Sequence, residues 1–265
     1  MTGHLSPIVV GVDGSAGSLT AAMSAAEEAH RRLLPVRLVQ AVPGRTPGRR
    51  GTEDRLEALR GAVRDRLPGG LVTTTLSEGP AAQVLLQEAG TADMLVVGPP
   101  GGPPDEVVDS LARLAPCPVL VARDALAAHG PVVVGIDDDD ATRLLSAAAL
   151  QAATRSTSLV VLDVGRAPAG TARLGERVKA VRAAYPGVPV EWRPATRADL
   201  PTLLTASRTA ALLVVGRTAP LQPADRRLGE LLRRSAAPVL VVPLDVPAPS
   251  SPGPVRALTL SGDPA

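Results

Sequence analysis

Two short stretches of the chain carry residues that could do chemistry. The first runs Pro7-Ile-Val-Val-Gly-Val-Asp13-Gly14-Ser15, an apolar run that ends in a carboxylate and a glycine. The second, Ala92-Asp-Met-Leu-Val-Val-Gly98-Pro-Pro-Gly101, ends in one glycine with another three residues on. Apolar runs of this length read as buried parallel strands, and an open α/β sheet binds ligands at the turns beyond its strands' carboxyl ends. Glycine there lets a backbone approach a ligand closely, and a following helix start offers free N–H groups to an anion. Both stretches recur: Val132-Val-Val-Gly-Ile-Asp137 repeats the first, and Ala210-Ala-Leu-Leu-Val-Val-Gly216 the second, with Ala219 where the second glycine would stand.

Other reactive types offer less. Cys117 is the only cysteine, set between Pro116 and Pro118 ahead of an apolar run, and reads as a packed thiol. His4, His30 and His129 have no metal-ligand spacing. Asp137 to Asp140 reads as a solvated helix start, since four consecutive carboxylates cannot all reach one ion from a turn. There is no Gly-x-x-x-x-Gly-Lys-Ser/Thr loop and no Gly-x-Ser-x-Gly elbow with a suitable histidine.

The elements that position these residues follow in a regular order. In the first half we expect strands at 7–13, 36–42, 71–76, 93–97 and 118–122. Helices should lie between them: one with an alanine face (Ala21, Ala22, Ala25, Ala26, Ala29) capped by Ser15 or Ser18, then 52–67, 80–89 and 105–114. The order then repeats, with strands at 132–137, 159–164, 188–192, 211–215 and 238–242 and helices at 141–153, 171–184, 200–207 and 225–234. Gly11 returns as Gly135 and Gly98 as Gly216, both offset by about 120 residues, the mark of a duplication. The expected fold is α/β: two tandem Rossmann-like domains at 6–123 and 131–245, each a five-stranded, mainly parallel sheet with helices on both faces. Residues 124–130 form the linker, and the proline-rich tail 246–265 is expected to be disordered.

Bulk composition bounds the function. The chain has 265 residues, 45% hydrophobic and 20% charged, with a formal net charge of +2. Phenylalanine is absent and Tyr185 and Trp192 are the only aromatics, so the core must be Val, Leu and Ala and there are no stacking platforms for single-stranded nucleic acid. The positive charge is almost all arginine, Lys179 being the sole lysine, and it forms no basic stripe. No apolar run reaches the roughly 18 residues of a membrane span, and the amino terminus lacks a signal-peptide pattern. These features predict a cytoplasmic protein with neither nucleic-acid nor membrane partners.

Ile8-Val-Val-Gly-Val-Asp-Gly-Ser15, Leu95-Val-Val-Gly98 and Ala115-Pro-Cys-Pro-Val-Leu-Val121 together resemble the universal stress protein family. The second half is similar through Val132 to Asp137, Leu212 to Gly216 and Ala237-Pro-Val-Leu-Val-Val242. The resemblance covers nearly everything from Pro7 to Leu244 and implies a tandem member of actinobacterial type. It also implies that the two halves form an intramolecular pseudo-dimer about a two-fold axis, often through their fifth strands, with a homodimer of the chain possible as well.

In ATP-binding members an aspartate follows the first strand, backbone after the second strand meets adenine, and Gly-x-x-Gly, nine residues, then Gly-Ser or Gly-Thr cradles the phosphates. The resemblance puts Asp13, Ala41, Gly98 and Gly101 in those roles in the first half, and Asp137, Val164 and Gly216 in a vestigial second site. The final Gly-Ser is missing from both: its place falls on Asp105-Glu106 and on Asp225-Arg226. Carboxylates at a helix start favour the helix but repel a triphosphate. The expectation is a non-enzymatic stress-response or regulatory protein with an unidentified protein partner, degenerate adenine-nucleotide sites, residual ATP binding confined to the first half, and no metal. The alternative is an ATP-binding protein with slow ATPase or self-phosphorylating activity.

Overall fold

The computed structural model describes residues 5–42, 49–101, 106–124, 127–136, 141–163, 168–194, 200–217 and 226–244. The carboxyl-terminal tail expected at 246–265 lies outside them, as does part of the expected linker.

The first half consists of β1 (Ile8–Gly11), α1 (Ala16–Arg32), β2 (Val36–Val42), α2 (Arg49–Arg66), β3 (Val72–Glu78), α3 (Ala81–Ala89), β4 (Met94–Val97), α4 (Glu106–Leu114) and β5 (Val119–Val121). The second repeats it: β6 (Val132–Ile136), α5 (Ala141–Thr154), β7 (Leu159–Asp163), α6 (Pro168–Ala184), β8 (Val190–Pro194), α7 (Leu200–Ser207), β9 (Leu212–Arg217), α8 (Arg226–Arg234) and β10 (Val239–Pro243). All the expected elements form. Boundaries move by a few residues, most at α2 and α6, each of which begins three residues earlier than its hydrophobic pattern suggests.

The strands build one ten-stranded sheet in the order β3-β2-β1-β4-β5-β10-β9-β6-β7-β8. Within each half every pairing is parallel; β5 and β10 join the halves antiparallel, with Val121 opposite Val239, Leu120 opposite Leu240 and Val119 opposite Val241. A two-fold relation about that pair carries one half onto the other, so α1, α2, α5 and α6 share one face of the sheet and α3, α4, α7 and α8 the other. The strand order reverses between β1 and β4, and between β6 and β9, the kind of switch point beyond whose carboxyl ends open α/β sheets bind ligands.

Local chemistry sets the elements. The central strands are Val- and Leu-rich and buried on both faces, as parallel strands covered by helices must be. Ser15 caps α1, its Oγ accepting from the Ser18 N–H at 3.1 Å, while Ser18 is buried and donates back to the Ser15 carbonyl. The alanine face of α1 is wholly buried and lets the helix lie close to β1 and β4. Its counterpart on α5 is larger, with Leu144 and Leu145 at the first two of the five positions.

Polar groups tie the halves together on both faces. On the α1/α5 face Glu28 is 1% exposed and pairs with Arg155 from the far half and, at 3.1 Å, with Arg31; its Oε2 is buried with no partner among the described residues. On the opposite face Arg123, just past β5, donates to the carbonyls of Leu232 and, at 2.6 Å, Ser235 at the end of α8. Arg217, ending β9, donates to the Ala115 carbonyl just beyond α4. Each half thus supplies an arginine to the unsatisfied carboxyl-terminal carbonyls of the other half's helix, where a cation also meets the helix dipole.

Removing one member of a buried ion pair strands the other in low dielectric. Glu28→Ala should therefore cost about 3 kcal/mol of stability, and Glu28→Gln less, because the amide still accepts a hydrogen bond from Arg155. Urea unfolding of the full chain measures both; a loss below about 0.5 kcal/mol, the range of an ordinary surface substitution, would refute a structural role for the pair.

Candidate functional site

In the first half each of the four expected residues lies near the carboxyl end of β1, β2 or β4 or in the turn after it. Asp13 lies two residues past β1, and its Oδ1 accepts the Ser15 N–H at 2.8 Å. Burial works to raise its pKa; hydrogen bonds from the hydroxyl and N–H of Ser15, with a smaller share from Ser18, outweigh that and hold the carboxyl below its usual value. Asp13 is therefore an ionised, exposed carboxylate tied to the turn that starts α1.

Ala41 owes its position to sheet register. In a parallel strand the N–H and C=O of a residue point to the same neighbouring strand, and successive residues alternate. The Val39 carbonyl accepts from Val12 N–H at 2.9 Å on the β1 side, and the Val42 carbonyl from Gly79 N–H at 3.0 Å on the β3 side. Ala41 thus faces the β1 side, but pairing of β1 with β2 ends at Gly11 opposite Val39. Its N–H and C=O are turned to the space left as the chain departs from β1 into α1, where an adenine edge could meet them.

Gly98 and Gly101 part company. A Cβ on Gly98 would stand 2.7 Å from both the carbonyl carbon and the oxygen of Gly17, so the glycine is needed for the first turn of α1 to rest on the end of β4. Pro99 closes the same contact, its Cδ lying 3.2 Å from where a Cβ on Gly17 would be. Gly101 has nothing within 4 Å of its missing Cβ. Packing alone accounts for the first glycine but gives no steric reason for the second.

In the second half Asp137 and Val164, with Ala219, the acidic run to Asp140 and Asp225, lie outside the described residues, as does Asp105 in the first. Gly216 is described, and its surroundings differ from those of Gly98. Its missing Cβ would stand 2.5 Å from Leu244 Cδ1 and 3.3 Å from Leu144 Cδ2. Two leucine side chains fill the space that helix backbone fills in the first half. Arg217, at the position matching Pro99, is buried and committed to the Ala115 carbonyl.

Motif reading finds neither Leu244, which lies beyond the last strand, nor Leu144 in the middle of an apolar helix face. It also passes over Asp163, a buried carboxylate at the end of β7 beside the expected adenine position. Among the described residues no three His, Cys, Asp or Glu side chains gather as a metal site, and no helix is long and apolar enough to cross a membrane. Cys117 is buried, and burial pushes its thiol up to about 12, so almost no thiolate exists at neutral pH.

Comparison with known proteins agrees with this architecture. Residues 4–123 match the model of the universal stress protein family. Over its length the chain is similar to a universal stress protein of Mycobacterium tuberculosis, at 32% identity covering 79% of this chain and 85% of the relative. One from Mycolicibacterium smegmatis is 30% identical, covering 79% of this chain and 86% of the relative. Among solved structures, a universal stress protein from Archaeoglobus fulgidus superposes with a TM-score of 0.71 at 13% identity, covering 89% of this chain and 98% of that one, a likeness of fold.

Two outcomes test the crevice. Gly98→Ala should destabilise by about 1–3 kcal/mol through overpacking, while Gly101→Ala should stay within about 0.5 kcal/mol of wild type; thermal or urea melts compare them. A carboxyl whose folded pKa is depressed stabilises the fold above its unfolded pKa and loses that contribution as pH falls through the folded value. Asp13→Asn should therefore be less stable than wild type at pH 7, the gap closing as pH drops below about 4. A gap unchanged at pH 2.5 would contradict the assigned role of the charge.

Proposed function

The chain belongs to the universal stress protein family, and from that premise we propose that it is a tandem, non-catalytic member acting through interactions in the cytoplasm, with an unequal pair of nucleotide crevices. The first would keep a residual adenine-nucleotide site at Asp13, Ala41, Gly98 and Gly101; the second would have lost its own. The observation that carries this reading is the contrast between Gly98, bounded by helix backbone and proline, and Gly216, covered by the side chains of Leu244 and Leu144.

Features of the first crevice fit part of an adenine nucleotide. The edge at Ala41, unpaired among the described residues, offers one donor and one acceptor to a base, and the ionised Asp13 offers an acceptor to ribose hydroxyls. The same carboxylate disfavours phosphate unless a cation intervenes. The sequence supplies no Gly-Ser at the start of α4, where acidic residues stand instead, so the triphosphate end is the weak part of the fit. In the second half the fit fails earlier, because Leu244 takes up space beside the glycine that a backbone-hugging ligand requires.

A regulatory protein without chemistry needs no general base held against an attacking water. Asp13, held ionised by its own turn, has no imidazole or lysine near it in sequence. The reading therefore assigns it to ligand contact or to capping the turn, not to proton transfer.

Titration calorimetry with ATP and magnesium tests the proposal on the intact chain. The expected result is one weak site, with Kd about 0.1–1 mM, corresponding to roughly 4–5.5 kcal/mol. Binding should be abolished by Asp13→Ala or Gly101→Val and left alone by Leu244→Ala. Gly98 is unsuited to this use, since any side chain there strikes Gly17. Two equivalent sites, or phosphate released over many turnovers and lost with Asp13→Ala, would overturn it.

A further inference from the structure

Helices α4 and α8 meet across the two-fold relation on the face opposite Glu28, and between them lies a cavity of about 270 Å³. Ala112, Leu228 and Leu232 give it an apolar lining, and Asp109, Arg113 and Arg233 supply charge. Arg113 and Arg233 are counterparts: each stands five residues before the proline, Pro118 or Pro238, that leads into the last strand of its half. The fold thus brings one guanidinium from each half to a single cavity, an arrangement neither half could produce alone.

Neither arginine has a hydrogen bond or ion pair among the described residues. The usual internal use for arginine in a helix's last turn, bonding the terminal carbonyls, is taken over here by residues from the opposite half, Arg123 for α8 and Arg217 for α4. Arg113 and Arg233 are released from that task. Glu230, the other acid at the cavity, is paired with Arg234.

The cavity exists because α8 carries a glycine within its span. Gly229 matches Asp109 of α4, and an ordinary side chain there would crowd the space: Asp109 Oδ1 and Arg233 Nη1 each lie 3.3 Å from where its Cβ would be. A glycine inside a helix costs about 1 kcal/mol relative to alanine, and at this position it leaves room for a carboxylate and a guanidinium to approach the same spot.

We propose that this cavity binds a small hydroxylated phosphate monoester, its phosphate between Arg113 and Arg233 and a hydroxyl donated to Asp109. Two guanidinium forks from separate helices can together present more N–H donors than one carboxylate can accept. A phosphate dianion offers three terminal oxygens and nearly two charges. The remaining carboxylate would repel a bare anion, so it selects a ligand that carries donors beside its charge. The volume admits a ligand of a few carbon atoms and lies at the small end of ordinary ligand pockets. None of these residues belongs to the β1/β4 crevice, and the site stands independently of nucleotide binding there.

The test is calorimetry on the full chain at low ionic strength with glycerol 3-phosphate, inorganic phosphate and glycerol as probes, alongside the amide shift of Gly229 in a ¹H–¹⁵N spectrum. Glycerol 3-phosphate should bind with a submillimolar Kd and move the Gly229 resonance, inorganic phosphate should bind about tenfold more weakly, and glycerol should not bind. Arg113→Gln and Arg233→Gln should each weaken glycerol 3-phosphate about tenfold, Asp109→Asn should erase the preference over inorganic phosphate, and Gly229→Leu should abolish binding. Both arginines reach solvent, so their variants should fold; the wild-type amide shift reports the site even where one does not. No heat and no shift at about 5 mM, or a fitted Kd above about 1 mM, would overturn the proposal. So would affinity unchanged in both arginine variants, equal affinity for inorganic phosphate, or binding weakened only by Asp13→Ala, which would move the ligand to the nucleotide crevice.

Discussion

Three residues of β5 against three of β10 make the junction on which the molecule depends. Each half on its own would end in a short, fully apolar strand with one row of backbone groups unpaired, a ready site for pairing with another chain. Antiparallel pairing of the two strands satisfies those rows and leaves β3 and β8 as the outer edges of the sheet. It also fixes what lies above and below: α4 against α8 on one face, and the ends of α1 and α5 on the other. The interhalf polar contacts follow from that geometry. Their strength comes from burial, and so does their cost, since Glu28 keeps one carboxylate oxygen without a partner among the described residues.

Arginine does this joining work for a reason of shape. Arg123 reaches two carbonyls, those of Leu232 and Ser235, with its two terminal nitrogens. A lysine ammonium is a point charge on a flexible stem and would not span both in a fixed orientation. The abundance of arginine therefore has structural use where it crosses between halves, whatever its origin elsewhere. The scarcity of aromatics has a similar consequence: an alanine-faced α1 can sit so near the sheet that glycine meets glycine at Gly17 and Gly98.

The same closeness explains how two copies of one fold come to differ where a ligand would rest. The five positions of the buried apolar face of α1 are alanine, and the matching five on α5 begin with Leu144 and Leu145. The larger side chains of α5, with Leu244 from beyond β10, occupy the space that the backbone of α1 occupies in the first half. Strand order and crossovers are shared by the halves, whereas the lining of the crevice depends on a few side-chain volumes. A duplicated fold can keep its architecture and lose one site without any change visible in its strands.

Element order, duplication and family are all legible in the chain alone. Those features rest on short-range signals: Val-rich runs of strand length, helical alanine spacing, a serine cap, and glycines at strand ends. Even the equivalence of Gly98 and Gly216 was legible, as a repeated string. Long-range packing and strand register settle that the two glycines face different neighbours, that Ala41 turns its backbone to the β1 side beyond the last pairing, and that Glu28 meets Arg155 and Arg123 meets α8. Each of these depends on residues brought together from distant parts of the chain or on the register between strands. Nothing in a local pattern records which side chain, folding back from a distant part of the chain, will fill a given space.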